Sequence, residues 1–311
     1  MELKDDLGLA VGFVTVEEAL TLPLDESTGP AEVLRVVRPP VSEWDRLRAK
    51  GFVPKPARIS WIMATRGSDE EYLESLPKKE RWSVRRARRL AADDGVHFVV
   101  EQPVGAAGFE AFFQIYLAQV EQMRFGVPFA TSHQEAILTG ADPYLAIWAR
   151  TGTKMVGGCL VLADPAARFA KIRFSAVSRR FRDTGLSRVV YLEAVRASRE
   201  RGYDSVSLGS EPNLYGHIVK AGLFSFKRRL GFVPMPSQEV GNAGFDEADK
   251  VLRLGALEDP GLILGYPDGS ASGSWRGGCG NFYTSAAELD LFPYRTDLMT
   301  GVSVTQVPTS T

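Results

Sequence analysis

A chain of 311 residues, 44% hydrophobic, carries enough apolar material for a sizeable core and for one large or two smaller domains. A formal net charge of -1 and a pI near 6.4 exclude a globally basic nucleic-acid binder, while leaving room for local basic patches. Two cysteines, Cys159 and Cys279, are too few for a disulfide framework, and His97, His133 and His217 are too scattered to suggest a zinc site. The start, MELKDDLGLA, is acidic where a signal peptide is basic, and no apolar run reaches membrane-spanning length. A cytoplasmic location without a membrane partner is therefore expected.

Residues 1–60 mix a strand at Val33–Val37 with proline breaks at Pro39-Pro40 and Pro54, and ARISWIMAT reads as a further strand. Ser68 is placed to N-cap DEEYLESL, whose acidic residues sit where the helix dipole favours them, and Pro77 opens the next helix. That helix, KKERWSVRRARRLAADD, gathers Arg81, Arg85, Arg86, Arg88 and Arg89 into one arc, with Val84, Ala87, Leu90 and Ala91 opposite. Trp82 falls inside the arginine arc. Cations interleaved with an aromatic ring suit an RNA backbone and a stacked base, so Arg81, Trp82, Arg85, Arg88 and Arg89 form a candidate RNA-binding face. A plain solvated basic face fits the same residues.

Downstream, GVHFVVEQP reads as a strand and GFEAFFQIYLAQVEQM as a helix whose Phe109, Phe112, Phe113, Tyr116, Leu117 and Val120 make a core stripe. PYLAIWAR and KMVGGCLVLAD form a hairpin turning at Thr151-Gly152-Thr153, and Gly157-Gly158 marks a bulge or a close backbone approach. KIRFSAVS follows as a half-buried strand, and RRFRDTGLSR as a glycine turn. A helix from Leu186 to about Arg201 comes next, with Leu186, Val189, Val190, Ala194 and Ala197 on one face and Gly202 as its C-cap. Glu193, on that apolar face, calls for an arginine partner. YDSVSLG is the next strand; the loop SEPNLYGHIVKAGL and the basic segment FSFKRRLGFVP follow, in which a surface lysine at a strand start is the plain alternative for Lys227. In the tail, VLRLGAL and PGLILGYP read as strands, GSASGSWRGGCGN as a flexible loop and VSVTQVPTST as a loose end.

The turn before Leu186 concentrates the chemistry. Unpaired amides at a helix start, with the helix dipole, favour a phosphate-bearing ligand, and Arg179, Arg180, Arg182 and Arg188 lie in the same turn. A glycine between a strand and a helix is also ordinary α/β punctuation. For moving an amine's proton, the candidates are Glu211, His217 and Tyr215, all in the loop after YDSVSLG, because sites in open α/β sheets gather at strand C-terminal ends.

Arg182-x-x-Gly185-x-Ser187 resembles the pyrophosphate loop of the GNAT acyltransferases, in which Arg or Gln is followed by two residues, Gly, one residue, and Gly or Ala. Ser187 departs from the last position. The Gly202 to Gly209 strand and the Phe226-Lys227 pair leading to Leu230-Gly231-Phe232 resemble the Fem-like branch of that superfamily, over about Leu73 to Pro234. The resemblance implies an α/β (α+β) GNAT fold in two lobes, with mixed central sheets flanked by helices. Residues 1–100 would form the N-terminal lobe, with 240–311 available to complete it, and residues 101–239 the C-terminal lobe with the phosphate loop. The arginine-rich helix would join the two.

For function, the resemblance implies amide or peptide bond formation on a small peptide or amino-acid-derived amine. Arg179, Arg180, Arg182, Gly185, Leu186, Ser187 and Arg188 would bind the donor's phosphates. Lys227 would lie near the donor's terminal nucleotide or phosphate, Tyr215 would protonate the leaving group, and the strand from about Arg168 to Val177 would offer backbone donors to the acyl group. Two donors fit: aminoacyl-tRNA, which also employs the Trp82 helix and Lys227, and acetyl-CoA, which needs the loop alone. A catalytically dead lobe that binds peptides is the reading from another class. No tightly bound cofactor, no metal and no DNA partner are expected.

Overall fold

The computed structural model describes residues 1–21, 29–267, 275 and 277–309. They divide into two units, residues 62–209 and residues 1–61 together with 210–311. The sequence pattern predicts divisions after residues 100 and 239; the structure places them after Trp61 and Gly209. The basic helix Lys78–Asp93 and the strand Val96–Glu101 consequently fold in the same unit as the bend at 182–187.

In the 62–209 unit, Val96–Glu101, Tyr144–Thr151, Lys154–Asp164 and Phe169–Val177 pair as successive antiparallel neighbours. Ser205–Pro212 joins in parallel, through residues 205–207 against 169–171. The tight hairpin forms where Gly152 adopts a positive φ of 56°. Gly158 serves close approach: a Cβ there would lie 2.6 Å from the Ile147 carbonyl oxygen and 2.8 Å from the Trp148 ring. One face of the sheet, with Tyr144, Ala146, Trp148, Leu160 and Phe174, packs on Phe109, Phe112, Phe113 and Tyr116 of helix Ala106–Val120. Removing a ring such as that of fully buried Phe112 costs about 3–5 kcal/mol in cores of this kind. The other face, with Leu145, Ile147, Cys159 and Val161, is covered by helix Leu186–Glu200.

In the other unit, a five-stranded sheet runs Glu2–Asp6, Leu9–Phe13, Val33–Val37, Asp246–Val251, Val53–Pro56. Its centre is apolar on both sides, with Val33 and Leu34 fully buried. It also holds a neutral quartet of charges. Asp249 lies opposite Arg35 and Glu247 opposite Lys55, and Arg35 donates two hydrogen bonds of 2.8 Å to Asp249 while Lys55 donates one of 2.5 Å to Glu247. A second sheet has Gly261–Gly265, Cys279–Thr284 and Gly301–Gln306 in order.

Four sequence expectations are corrected here. The segment around Lys227 is a helix, Ala221–Arg229, because Ala221, Phe224, Ser225 and Arg228 recur at helical spacing and are buried together; the strand begins later, at Val233. VLRLGAL contributes only Val251 to a strand, the preceding DEADKV forming the rest. The end read as loose forms the strand Gly301–Gln306, paired in parallel with Cys279–Thr284. Most of GSASGSWRGGCGN lies outside the described residues, but Trp275 is buried, its indole donating to the Pro234 carbonyl at 2.7 Å, and Cys279 already belongs to a strand.

Candidate active site

The bend expected to bind phosphate belongs to the 62–209 unit. After strand Phe169–Val177 comes a short turn, Arg179–Phe181, then Gly185 at φ 82°, which opens helix Leu186–Glu200. The left-handed conformation favours glycine, and so does the space, since a Cβ would stand 3.0 Å from the Ala87 Cβ of the basic helix. Leu186 anchors the bend with a fully buried side chain. The amides of Leu186 and Ser187 have no acceptor among the described residues, the ordinary condition of a first helical turn and the basis of anion binding there.

The four arginines divide. Arg179 and Arg180 are exposed, the latter with its guanidinium 5.4 Å from the Phe181 ring centre. Arg182 instead donates to Gln122 at 2.7 Å, and Arg188 to the buried Glu80 at 3.4 Å. The expectation of four converging cations is thus corrected to two exposed and two tied to side chains of their own unit. Glu193 finds its arginine in Arg196, which donates to it at 2.8 Å.

Next to the bend, the parallel pairing of Phe169–Val177 with the strand from Ser205 ends at Lys171. Past that point no strand continues the ladder on that side among the described residues, leaving an open backbone edge leading to the loop. On its other side the register slips by one, with Ile172 opposite Val161 and Phe174 opposite Leu160, so Arg173 is an inserted residue.

The basic helix keeps part of its predicted face. Trp82 is 62% exposed, with the Arg86 guanidinium 5.8 Å from its ring centre; Arg85 and Arg89 are exposed and Arg81 half-buried. Arg88 leaves the face: it donates to Asp69 at 2.7 Å, and Arg199 donates to the other oxygen of the same carboxylate at 2.8 Å. Burial raises the Asp69 pKa, but the two arginines prevail and hold it below the ordinary carboxylate value.

Three of the four proposed catalytic side chains meet in the other unit. Glu211 Oε1 accepts from the Trp61 indole at 2.5 Å and from the Tyr215 hydroxyl at 2.9 Å, and Glu211 Oε2 accepts from Lys227. Lys227 also lies over the Trp61 ring, 5.6 Å from its centre. Burial and the adjacent Glu211 push the Tyr215 pKa well above its ordinary value, so Tyr215 keeps its proton. His217 is placed elsewhere, against the Leu7 carbonyl at 3.3 Å. Lys227 is a buried, ion-paired residue of a helix, which corrects the alternative of a surface lysine at a strand start. Sequence reasoning missed Trp61, although a tryptophan in a buried strand signals an indole in need of an acceptor. It also missed Arg228, buried with Nε and Nη2 lacking acceptors among the described residues; burial and Arg295 push its pKa down to about 10.

Residues 78–221 match the family model described as an acetyltransferase (GNAT) domain. The matched stretch spans a little under half of the chain and carries the loop and the strands just described. No curated protein matches the chain. Among solved structures, the chain is similar to FemX, at 15% identity over 80% of this chain and 83% of that one, with a TM-score of 0.48. It is also similar to L-PGS from Bacillus licheniformis, at 16% identity over 71% and 68%, TM-score 0.42. A third is a tandem GNAT protein from the clavulanic acid biosynthesis pathway, at 13% over 70% and 64%, TM-score 0.39. No helix among the described residues is long and apolar enough to cross a membrane.

Proposed function

We propose that the protein transfers an aminoacyl group from aminoacyl-tRNA to the amine of a small peptide or amino-acid-derived acceptor. Acyl transfer rests on the bend 182–187: Gly185 opens a helix whose first amides lack acceptors, within a segment that matches a GNAT domain. In this reading those amides, with Arg179 and Arg180, hold a phosphate of the donor, and the open strand edge past Lys171 receives the acyl carbonyl. The acceptor nitrogen attacks that carbonyl. A C–N bond forms, the ester C–O bond breaks, and the amine's proton leaves with the ribose hydroxyl.

The choice of donor rests on Trp82. An indole 62% exposed between exposed arginines contributes little to packing but offers a stacking platform on a phosphate-binding face. Glu211 has donors on both carboxylate oxygens and Tyr215 is fully buried, so their task is to position Lys227. Lys227 remains the proposed cation of the reaction, and His217 the candidate acid or base outside that cluster.

An acetyl-CoA-dependent N-acetyltransferase is the second reading, favoured by the description of the matching domain as an acetyltransferase. Incubating the protein with labelled acetyl-CoA, or with a mixture of charged tRNAs, plus candidate amines decides between them. Loss of product on RNase treatment is expected. RNase-resistant turnover with thiol release would establish the coenzyme A reading, and consumption of neither donor would leave a peptide-binding module.

A further inference from the structure

A cavity within the unit formed by residues 1–61 and 210–311 has no role in the acyl-transfer reading. Its volume is about 680 Å³, inside the range of roughly 300–1,000 Å³ usual for small-molecule sites. One wall comes from the three-stranded sheet. Cys279, Asn281 and Tyr283 stand opposite Gly301, Ser303 and Thr305 in parallel register, and alternation along the strands brings all six to the face that lines the cavity. The other wall is the edge segment 51–54 with Arg48 and Lys250. Gly265 lets the walls approach, since a Cβ there would fall 2.6 Å from Val53 Cγ1.

The lining is cationic and rich in hydroxyls. Arg48 and Lys250 are the charged residues among those described around the cavity, and no carboxylate faces them there. Arg48 is engaged, donating to Asp45 and to the Tyr266 and Pro267 carbonyls. Lys250 has no ion-pair partner among the described residues and reaches along Gly51. A cationic ligand would meet no counter-charge in this lining, and an apolar one would strip water from Lys250 and from several hydroxyls without replacing it. Asn281 donates to the Ile263 and Cys279 carbonyls at 3.4 and 3.1 Å and accepts from the Ser303 hydroxyl at 2.9 Å, which leaves lone pairs on Asn281 and Ser303, and the Thr305 hydroxyl, for a ligand that carries hydroxyls of its own.

We propose that this cavity binds a small sugar phosphate, its phosphate on Lys250 and its hydroxyls on Asn281, Ser303 and Thr305. The proposal is independent of which acyl donor the protein uses.

The protein carries its own reporter. Cys279 lines the cavity with its thiol 3.3 Å from the Thr300 hydroxyl, whereas the second cysteine, Cys159, is fully buried. Maleimide labelling of the full chain, followed by intact mass, therefore reads access to Cys279. Glucose 6-phosphate and ribose 5-phosphate serve as probes, with glucose and inorganic phosphate as controls. A bound probe is expected to slow labelling by about tenfold at ten times its dissociation constant, because labelling then follows the unliganded fraction. Lys250→Ala should label at the unliganded rate and lose the protection, and Lys250→Gln repeats the test if the first variant does not fold. Absence of protection by both sugar phosphates at millimolar concentration overturns the proposal. So does equal protection by glucose or by inorganic phosphate alone, or protection that survives both Lys250 variants.

Discussion

Arg179 and Arg180 stand in solvent beside a helix start whose amides await an acceptor, whereas Lys227 is 7% exposed and its charge is met by Glu211, itself held by Trp61 and Tyr215. Both places are cationic and both were marked from the sequence as donor-binding. The first keeps its donors available; the second spends them within the protein. An open set of donors controls binding with little effect on folding, while a closed set controls folding and, through it, the geometry of whatever it supports.

The sharpest break of that comparison is Glu211→Ala, which leaves Lys227 as an uncompensated buried charge and orphans the Trp61 and Tyr215 donors. Removing one partner of a buried pair costs about 3–5 kcal/mol, so urea denaturation should show a loss of that order. A loss under about 1 kcal/mol would mean the cluster is not closed in solution. Trp82→Ala should act in the opposite way. Loss of a stacking ring should weaken tRNA binding by about 1–3 kcal/mol in a filter assay, while stability stays within about 0.5 kcal/mol.

Gly185→Ala probes both behaviours together, because the bend needs positive φ and faces Ala87. About 1–2 kcal/mol of stability should be lost to the left-handed backbone alone, with a rise in the donor's KM. Unchanged KM would remove the bend from the donor site. Arg179→Ala and Arg180→Ala should leave the melting temperature in place and flatten the salt dependence of donor binding, by a slope of about one for each phosphate that is no longer neutralised. The smallest effect concerns acid. Asp69 is held below its ordinary pKa, so its contribution is complete above about pH 4 and is lost as pH falls through the folded value. Asp69→Asn should lower stability near neutrality and flatten the acid limb of a stability–pH curve.

Where local rules and tertiary packing agreed, the sequence was readable. Ser68 caps its helix as its chemistry predicts, accepting from the Glu71 amide at 3.1 Å, and the hairpin about Gly152 and the helix from Leu186 stand where their turn residues place them. Helix Ala130–Thr139 was overlooked because only Ala130 and Ile137 are buried on it, too sparse a stripe for a period of 3.6 to emerge. Strand Gly301–Gln306 looked loose because its small polar residues derive their order from the neighbouring strand. At the site, the bend was legible because its glycine, arginines and helix start are contiguous. The fate of each charge was not. Lys227 meets a carboxylate sixteen positions away and Trp61 one 150 positions away, and Arg188 finds Glu80 across 108. Such pairings depend on how the chain returns on itself, which no spacing rule encodes.

The seat of Gly185 against Ala87 makes two distant positions a single steric unit. A side chain at 185 would press on the Ala87 methyl, so a change at 185 bears directly on 87. A survey of related sequences should find a side chain at 185 accompanied by change at 87.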